Sequence, residues 1–429
     1  MADYYVLFLK NVLVVSLAMN MGLIWRMRYE DEENLTPSWG NMLHLHGSGL
    51  YAQKNSRIQE EEEEEEEAHA SKKTHILTTT LSSAAPDGLE SVVINLDHGD
   101  PTMYEEFWKQ KGEETTVVTS SWQHISYFSD VNNVCWFLEP GLVSAITALH
   151  RTVGNAVDGP GPMNVVSAAP FYSSYPLMTD YLKSGLHKWA GDAYKFNKEE
   201  PYIELVTSPN NPDGFTRQDA VKGDKGILIH DLAYYWPQYT PILSPADYDI
   251  MLFTVSKSTG HAGSRIGWAV VKDREIAKKM TTFIEINTIG VSKESQIRAA
   301  KILQAVSVGC IHHNRKEAES NFFDYSYKLM AERWKRIREA VNKTVLFSLP
   351  SFPQETCSFS GRTFGQLPAF AWLKCEGEID DCESFLRRHK VITRSGKHFG
   401  ASMKYVRVSM LSRESEFKLL TERLPAIKT

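Results

Sequence analysis

The sequence has few cysteines and no excess of positive charge. Its 429 residues include five cysteines, which are Cys135, Cys310, Cys357, Cys375 and Cys382, and none of them forms a C-x-x-C pair. This spacing excludes a disulfide-dense scaffold, and free thiols in a reducing compartment are the simpler expectation. With 47 Lys and Arg against 53 Asp and Glu, the formal net charge is −6. This balance gives no basis for nucleic-acid binding.

One apolar run stands near the start of the chain. Residues 6–25 are nearly all apolar and are interrupted by Lys10, and a bilayer-spanning helix needs about 20 such residues. No small-residue cleavage site is obvious, so a retained membrane anchor is favoured over a removed signal peptide. An amphipathic or buried helix is the alternative. Arg26 and Arg28 slightly favour a cytosolic location for the C-terminal side.

The next stretch lacks any hydrophobic periodicity. It contains eight consecutive glutamates, Glu60–Glu67, and charges of one sign at that density repel one another. A metal site is disfavoured because nothing preorganises these carboxylates. We therefore expect an anchor segment over 1–30, a disordered acidic linker over 31–90, and folded sequence from about Ser91.

A lysine stands between two apolar runs at Lys257. The runs, Ile250–Val255 and Ile266–Val271, are short and contain β-branched residues, as buried strands do. A lysine amine in a dry pocket loses its proton readily and becomes nucleophilic towards carbonyls. The hydroxyls beside it, together with Arg265, could hold a phosphate. A surface loop rich in Ser, Thr and Gly is the alternative.

Two further stretches place polar residues at the ends of apolar runs. Tyr202–Val206 leads into the turn SPNNPDG at Ser208–Gly214, and Ile227–Tyr235 contains Asp231 with Tyr234 three residues later. Open α/β sheets keep their sites at the carboxyl ends of their strands. A buried aspartate beside a heteroaromatic nitrogen would keep that nitrogen protonated, as in the electron-sink arrangement for pyridoxal phosphate.

Together these motifs resemble those of fold-type I aminotransferases, and closely those of the plant tryptophan aminotransferase-related proteins in the alliinase-like group. The matching motifs run from about Asn95 to the C-terminus and are NLDHGDPT, SYFSD, CWFLEP, APFYSSY, ELVTSPNNPDG, HDLAYYWP, SKSTGHAGSRIGWA, NTIGVSKESQ and VRVSMLSR. The resemblance implies an α/β fold with a mostly parallel sheet in a large domain and a smaller α+β domain. The expected boundaries are an N-terminal arm with part of the small domain over 91–150, the pyridoxal-phosphate-binding large domain over 151–320 and the C-terminal small domain over 321–429.

The resemblance also implies the site. Lys257 is the expected catalytic residue and would hold pyridoxal phosphate through its amine. The residues expected to bind the cofactor are Tyr127, Tyr172, Asn211, Asp231, Tyr234, Thr254, Ser256, Lys257 and Arg265. Gly99 and Arg407 are expected to bind the substrate, because a bidentate guanidinium suits an α-carboxylate. Tyr127 is expected to reach the cofactor phosphate of a neighbouring subunit, which implies a homodimer. Ordinary core positions are the alternative for Tyr127 and Tyr172.

The implied reaction transfers the amino group of L-tryptophan to pyruvate or another 2-oxo acid and yields indole-3-pyruvate, on the route to auxin. The expected location is the endoplasmic reticulum membrane, with the catalytic lobe facing the cytosol. Two other functions stay open, namely an alliinase-type carbon–sulfur lyase and a non-catalytic, membrane-tethered relative. Alliinases carry a cysteine-rich module before the catalytic domain, whereas the first cysteine here is Cys135.

The chain departs from its relatives after Ala156. There the resemblance predicts a strand, a glycine-rich turn and a helix, whose backbone N–H groups bind the cofactor phosphate. Instead, residues 157–163 lead directly to the strand-like NVVSA at Asn164–Ala168, so roughly 25 residues are missing, about one strand and one helix. A splice variant, a gene-model gap and a real loss are all compatible with this. We therefore expect most of the site but little or no activity.

Overall fold

The computed structural model describes residues 92–119, 137–139, 142, 163–182, 185–196, 199–311 and 321–428, and the backbone of Val12–Leu13. The chain divides into two compact units, one made of Met1–Leu17 with Val93–Thr429 and the other of Ala18–Val92. Nearly all described residues belong to the first unit. The expected acidic linker, Tyr127 and the junction at 157–162 lie outside the described residues.

The described strands and helices form two lobes, each built on a sheet. The strands are β1 Val12–Leu13, β2 Ile94–Asn95, β3 Met163–Ser167, β4 His187–Asp192, β5 Tyr202–Thr207, β6 Gly226–Asp231, β7 Ile250–Thr254, β8 Gly267–Val271, β9 Phe347–Ser348, β10 Glu355–Thr356, β11 Thr363–Phe364, β12 Phe370–Cys375, β13 Val391–Ile392, β14 Arg394–Ser395 and β15 Tyr405–Ser409. The α-helices are α1 Glu105–Gln110, α2 Gly112–Thr115, α3 Ser174–Leu182, α4 Val255–Ser258, α5 Arg274–Thr288, α6 Lys293–Ile311, α7 Phe322–Asn342, α8 Cys382–Arg388 and α9 Glu414–Arg423. Short 3-10 helices cover Thr102–Tyr104, Ala193–Lys195, Ala262–Ser264, Gly396–Phe399 and Leu424–Ala426.

A seven-stranded sheet forms the larger layer, in the order β1-β8-β7-β6-β5-β3-β4. The pairs from β4 through β7 are parallel, and β8 runs antiparallel to β7. The mostly parallel sheet agrees with the α/β expectation. Because parallel strands end at one edge, β5, β6 and β7 bring Thr207, Asp231 and Thr254 to the same side of the sheet.

Strand β8 is paired along only part of its outer edge in the described residues. Its partner there is the two-residue strand β1, in which Val12 pairs with Val270 and Leu13 pairs with Ala269. Among the described residues between β2 and β3, none adds a strand to this sheet. Unpaired strand edges expose backbone N–H and C=O groups, so this edge is the place where a further strand could join.

The helices begin at residues that satisfy their free N–H groups. The Asp273 carboxylate accepts hydrogen bonds from Glu275 and Ile276 at the start of α5. Asn321 caps α7 in the same way, by accepting from the Phe323 N–H. Such caps typically stabilise a helix by about 1 kcal/mol.

The smaller lobe is built on a four-stranded antiparallel sheet in the order β14-β15-β12-β9. Arg407 lies at the centre of this sheet on β15, opposite Trp372 on β12 and Arg394 on β14. The parallel pair β2 and β13 ties the start of the folded chain to this lobe through Ile94 and Val391. Gly99 and Arg407 are thereby held near each other despite their separation in sequence.

The cysteine expectation is wrong for one pair. Cys375 ends β12 and Cys382 begins α8, and the two are joined by a disulfide with a Cα–Cα distance of 5.5 Å. Both residues are fully buried, whereas Cys357 is a buried free thiol. The seven-residue spacing carries no recognisable disulfide signal, because the bond depends on where the strand stops and the helix starts.

No helix in the described ranges is long and apolar enough to cross a membrane. Most of the apolar run at 6–25 lies outside those ranges. Val12–Leu13, which belong to that run, form strand β1, whereas the sequence predicts a helix there.

Candidate active site

Lys257 lies on the short helix α4, which follows β7 directly, and not on a bare loop. The Thr254 hydroxyl accepts a hydrogen bond from the Ser256 N–H at 3.1 Å and donates one to the Ile266 carbonyl at 2.9 Å. The first bond caps the helix, and the second ties its start to the segment before β8. Since the hydroxyl proton of Thr254 is committed to Ile266, the expected phosphate contact of Thr254 is not favoured by this geometry.

The amine of Lys257 is held in a dry pocket between the two lobes of the first unit. It donates a hydrogen bond to the Gly99 carbonyl. A Cβ at Gly99 would lie 2.8 Å from the Phe370 ring and 3.4 Å from the Lys257 amine, so only glycine lets the backbone come this close. Gly99 therefore positions the lysine directly.

Burial lowers the pKa of Lys257 to about 8, and the positive charges of Arg407 and Arg265 act in the same direction. Asp100 opposes this shift. With a pKa near 8, about one amine in ten is neutral at pH 7, against fewer than one in a thousand for an ordinary lysine. The pocket thus prepares Lys257 to act as a nucleophile and as a base.

Asp231 ends β6 with both carboxylate oxygens hydrogen-bonded. The Tyr175 hydroxyl donates to Oδ2 at 2.6 Å, and the Ala233 N–H donates to Oδ1 at 3.1 Å. The Thr207 hydroxyl lies 2.7 Å from the Tyr175 hydroxyl. Burial raises the pKa of Asp231, and the two donated hydrogen bonds oppose that shift.

Arg407 reaches from the smaller lobe into the same pocket. Its guanidinium donates to the Asn211 side-chain oxygen at 3.1 Å and to the Asp97 carbonyl, and it lies 4.1 Å above the centre of the Phe370 ring. Burial lowers the pKa of Arg407 to about 10. Its Nε atom is buried and has no hydrogen-bond partner among the described residues.

Two aromatic hydroxyls complete the wall of the pocket. Burial raises the pKa of Tyr234, while the charge of Arg407 lowers it. Tyr172 is half-buried and meets the Tyr175 ring edge-on at 5.4 Å. Tyr172, Asp231 and Arg407 all act electrostatically on Tyr234.

The residues expected to bind the cofactor phosphate make up what we call the phosphate end of the site. Arg265 has a left-handed backbone (φ 52°), and its guanidinium donates to the Ala262 carbonyl at 3.0 Å. Ser256 is buried, and its N–H is bound to the Thr254 hydroxyl. Tyr127 lies outside the described residues. The structure therefore brings Lys257 and Arg265 close enough for their charges to interact, but shows no assembled phosphate cradle in the part it describes.

The sequence matches a family model described as allinase over residues 94–160 and again over 156–428. The chain belongs to the alliinase family. The two matches meet at 156–160, which is where the sequence predicts that a strand, a turn and a helix are missing.

The similar curated proteins include tryptophan aminotransferase-related proteins and alliin lyases. Tryptophan aminotransferase-related protein 2 from Arabidopsis thaliana is 48% identical, covering 97% of this chain and 96% of the relative. An alliin lyase from Allium cepa var. aggregatum is 36% identical, covering 75% of this chain and 78% of the relative. The Arabidopsis match spans 447 aligned positions, more than the 429 residues of this chain, so that relative has residues that this chain lacks.

Solved structures establish the fold. The aspartate aminotransferase from Rhizobium meliloti matches with a TM-score of 0.54 and 17% identity, covering 78% of this chain and 90% of that one. The chain therefore has the fold of fold-type I aminotransferases, as the sequence predicts. Fold-type I aminotransferases and alliinases are pyridoxal-phosphate-dependent.

The ring end of this alliinase-family site fits pyridoxal phosphate. Arg407 Nε is a buried donor without an acceptor among the described residues, and the Asn211 side-chain oxygen accepts from Arg407, so the Asn211 NH2 group takes no part in that bond. Asp231 supplies a carboxylate that accepts a hydrogen bond from Tyr175, and Lys257 supplies an amine whose pKa is lowered. A ring with an anionic oxygen and a protonated nitrogen would satisfy these groups together.

Two residues of this network were missed from the sequence. Tyr175 lies three residues after Tyr172 in FYSSY, and Thr207 stands directly before the SPNNPDG turn. Their position beside recognised motifs was a signal, but their contact with Asp231 depends on α3 lying over the ends of β5 and β6. Phe370, under both Gly99 and Arg407, was missed for the same reason.

Proposed function

We propose that this chain is a pyridoxal-phosphate-dependent aminotransferase that takes L-tryptophan and a 2-oxo acid such as pyruvate to indole-3-pyruvate, in auxin biosynthesis. The observation that carries the proposal is the buried amine of Lys257, which donates to the Gly99 carbonyl and whose pKa is lowered to about 8 by burial and by the charges of Arg407 and Arg265. The 48% identity to a tryptophan aminotransferase-related protein supports tryptophan as the amino donor.

Each residue has a defined task in this proposal. When bound, pyridoxal phosphate supplies an electron sink for the pair of electrons left at the substrate Cα. Lys257 holds the cofactor through its amine and, after an amino acid has taken its place, carries the proton away from Cα. Asp231 keeps the ring nitrogen protonated, while the Asn211 amide and the Tyr234 hydroxyl donate to the ring oxygen.

Arg407 and Gly99 are the proposed substrate contacts. The Arg407 guanidinium is already oriented by Asn211 and by the Asp97 carbonyl, and its Nε atom lacks a partner within the described ranges. A planar guanidinium fixed in this way binds a carboxylate through two parallel hydrogen bonds. Stacking on Phe370 restricts it further.

Activity is proposed to be low in this chain as it stands. The family match breaks at 156–160, and Thr254 uses its hydroxyl within the protein. Arg265, Ser256 and Tyr127 are then the remaining candidates for the phosphate. Each charge-assisted hydrogen bond contributes about 1.5–3 kcal/mol, so losing two would weaken cofactor binding by about two orders of magnitude or more.

A carbon–sulfur lyase is the second candidate, because an alliin lyase is 36% identical to this chain. The two activities differ in what they need. A transaminase requires a 2-oxo acid acceptor, whereas a lyase releases pyruvate from alliin without one. A non-catalytic, membrane-tethered relative is the third possibility, and its support is the broken family match.

We also propose that the chain forms a homodimer. Near the end of α5, Phe283 and Ile286 are 63% and 79% exposed, and Ile289 directly after it is 59% exposed. A cluster of large apolar side chains of this kind marks an interaction surface. Sedimentation should show a dimer that Ile286→Asp weakens, whereas Val345→Asp, at a residue 90% exposed in another lobe, should leave it intact.

We also propose that residues 6–25 attach the protein to the endoplasmic reticulum membrane, with the catalytic lobe facing the cytosol. Release by salt alone would overturn the attachment. The disulfide between Cys375 and Cys382 is typical of oxidising compartments, so orientation needs its own test. Asn34 and Asn342 lie in N-x-[ST] sequons, and a glycosidase-sensitive mass shift would place the lobe in the lumen.

Reductive trapping is the experiment that tests the enzyme proposal. Incubation with pyridoxal phosphate followed by borohydride should label Lys257, and peptide mapping should find the label there. Label at Lys272, Lys278 or Lys293 would overturn the assignment. Indole-3-pyruvate formed only when both tryptophan and pyruvate are present would support transamination, and pyruvate released from alliin alone would favour the lyase.

A further inference from the structure

The Asp231 carboxylate is held by a chain of hydroxyls that none of the assigned roles uses. Tyr175, the second residue of α3, places its hydroxyl 2.6 Å from Asp231 Oδ2 and 2.7 Å from the Thr207 hydroxyl. The ring of Tyr175 stands edge-on to Tyr172, and its N–H donates to the Tyr172 carbonyl at 3.0 Å. Tyr175 therefore has a fixed position relative to Tyr172, one of the residues expected to bind the cofactor, and to the carboxylate.

The direction of the hydrogen bonds follows from the chemistry of the groups. An ionised carboxylate only accepts, so the Tyr175 hydroxyl must donate to Asp231. The Thr207 hydroxyl must then donate to the oxygen of Tyr175. Burial and the charge of Asp231 raise the pKa of Tyr175 well above its ordinary value, so Tyr175 stays a donor at every physiological pH.

Without these donors, Asp231 would be a poor anion. It is withdrawn from water at the end of β6, and burial raises its pKa. The titratable groups around it are Tyr175 from α3, Tyr172 from the segment before α3 and Tyr234 from the turn after β6. None of these is a cation, so the anionic form of Asp231 depends on the hydrogen bonds from Tyr175 and from the Ala233 N–H.

We propose that Tyr175, supported by Thr207, is a positioning residue that keeps the Asp231 carboxylate ionised and aimed at the ring nitrogen of a heteroaromatic cofactor. The proposal rests on the proposed function of the site. It separates Tyr175 from residues that touch the cofactor, since Tyr175 acts through Asp231. Its effect should therefore depend on the presence of a nitrogen in the ring.

A cofactor analogue provides the decisive comparison. Tyr175→Phe keeps the ring and removes the hydroxyl, and Thr207→Val removes the second donor at nearly constant volume. Tyr202→Phe is the matched control, because Tyr202 is also buried and its hydroxyl donates to the Gly223 carbonyl, away from Asp231. Binding of pyridoxal phosphate and of its 1-deaza analogue, which has carbon in place of the ring nitrogen, is measured by fluorescence titration of the full chain.

We expect Tyr175→Phe to weaken pyridoxal phosphate binding about tenfold, which corresponds to about 1.4 kcal/mol, and to leave binding of the deaza analogue unchanged. Thr207→Val should do the same by a smaller factor, and Tyr202→Phe should change neither. Equal weakening of both ligands by Tyr175→Phe would show a merely structural role and overturn the proposal. No change with either ligand would overturn it as well.

A measurement without cofactor separates this proposal from the proposed function. In protein labelled with carbon-13 at the aspartate carboxyls, the signal that disappears in Asp231→Asn belongs to Asp231. Its titration should move to higher pH in Tyr175→Phe and stay in place in Tyr202→Phe. If the wild-type chain binds neither ligand, the proposed function fails, and this titration alone decides whether Tyr175 controls Asp231. An unmoved titration in Tyr175→Phe would refute that control.

Discussion

The two ends of the proposed cofactor site differ in how completely the described residues build them. At the ring end, Asp231, Asn211 and Arg407 each make side-chain hydrogen bonds that fix their orientation. At the phosphate end, Thr254 uses its hydroxyl to cap α4, and Arg265 donates to a carbonyl of its own loop. The ring-end side chains are oriented by bonds to one another and to the backbone, whereas the phosphate-end side chains of Thr254 and Arg265 bond to backbone groups of their own segment.

The difference follows from which parts of the chain supply each end. Among the ring-end residues, Asp231 ends β6, Asn211 follows the end of β5, and Arg407 lies in the middle of β15. Strand register fixes these positions. Phosphate binding in this fold depends on a turn and a helix N-terminus, which form a local unit. A local unit can be lost while strands on the other side of the sheet keep their pairing. A site can therefore keep the residues that bind the cofactor ring and lose the turn that binds the cofactor phosphate.

Removal of the lysine should have the largest effect on the ring end. Lys257→Ala deletes the amine that carries both covalent attachment and proton transfer, so trapping of pyridoxal phosphate by borohydride should disappear. Any transaminase activity should fall by a factor of about 10² to 10⁴ or more. Lys272→Ala is the control, because Lys272 is paired with Asp247 and Asp249 away from the site. Persistent label in Lys257→Ala would place the attachment elsewhere.

Restoring the phosphate end should produce the next largest change. Inserting the strand, turn and helix of a relative after Ala156 should tighten pyridoxal phosphate binding by about two orders of magnitude, and transamination should appear with it. The inserted strand can join the sheet beside β8, an edge at which Val12 and Leu13 are the pairing residues in the part of the chain that the structure describes.

The control for this insertion is a flexible Gly/Ser segment of equal length, which adds residues without an N–H nest. It should leave the dissociation constant unchanged. If the unmodified chain already turns over tryptophan as fast as the restored chain, the turn is dispensable and the contrast between the two ends has no functional meaning.

The carboxylate contact should give a smaller effect. Arg407→Lys keeps the charge but loses the planar pair of donors, so the affinity for an unreactive substrate analogue should fall by about 10- to 100-fold while pyridoxal phosphate still binds. Arg413→Lys, at an exposed residue paired with Glu105, should change neither affinity. Equal losses for analogue and cofactor would mean that Arg407 supports the pocket and does not recognise the substrate.

Sequence reasoning succeeds where a motif coincides with a strand end. The buried strands before Asp231 and Lys257 predict where those side chains emerge, and the structure ends β6 at Asp231 and β7 three residues before Lys257. The mostly parallel sheet follows from the same motifs, because strands that end in such residues and alternate with helices pair in parallel.

Sequence reasoning fails where a role depends on contacts that the packing of separate elements creates. Tyr175 meets Asp231 across 56 positions, and Cys375 meets Cys382 because a strand end faces a helix start. The phosphate contact expected of Thr254 stays a prediction, and the partner that the structure gives its hydroxyl, the Ile266 carbonyl, was not predicted. In each case the residue type was visible, and the partner was set by packing that the local pattern does not encode.

The smallest effect concerns how the phosphate end acts on the ring end through charge. The pKa of Lys257 is lowered to about 8 by burial, helped by Arg407 and Arg265 and opposed by Asp100. Only the neutral amine attacks an aldehyde. The rate of capture of pyridoxal, which lacks the phosphate, should therefore rise about tenfold between pH 7 and pH 9 and level off above the pKa.

Two variants give shifts of opposite sign in this profile. Arg265→Gln removes a cation that disfavours the protonated amine, so the midpoint should move to higher pH. Asp100→Asn removes an anion that favours the protonated amine, so the midpoint should move to lower pH. A bound phosphate that neutralises Arg265 should act as Arg265→Gln does. Inorganic phosphate is then added to the wild-type chain and to the chain with the inserted strand, turn and helix. If phosphate raises the midpoint only in the chain with the insertion, Arg265 alone does not bind phosphate, and the missing segment supplies the phosphate-binding groups.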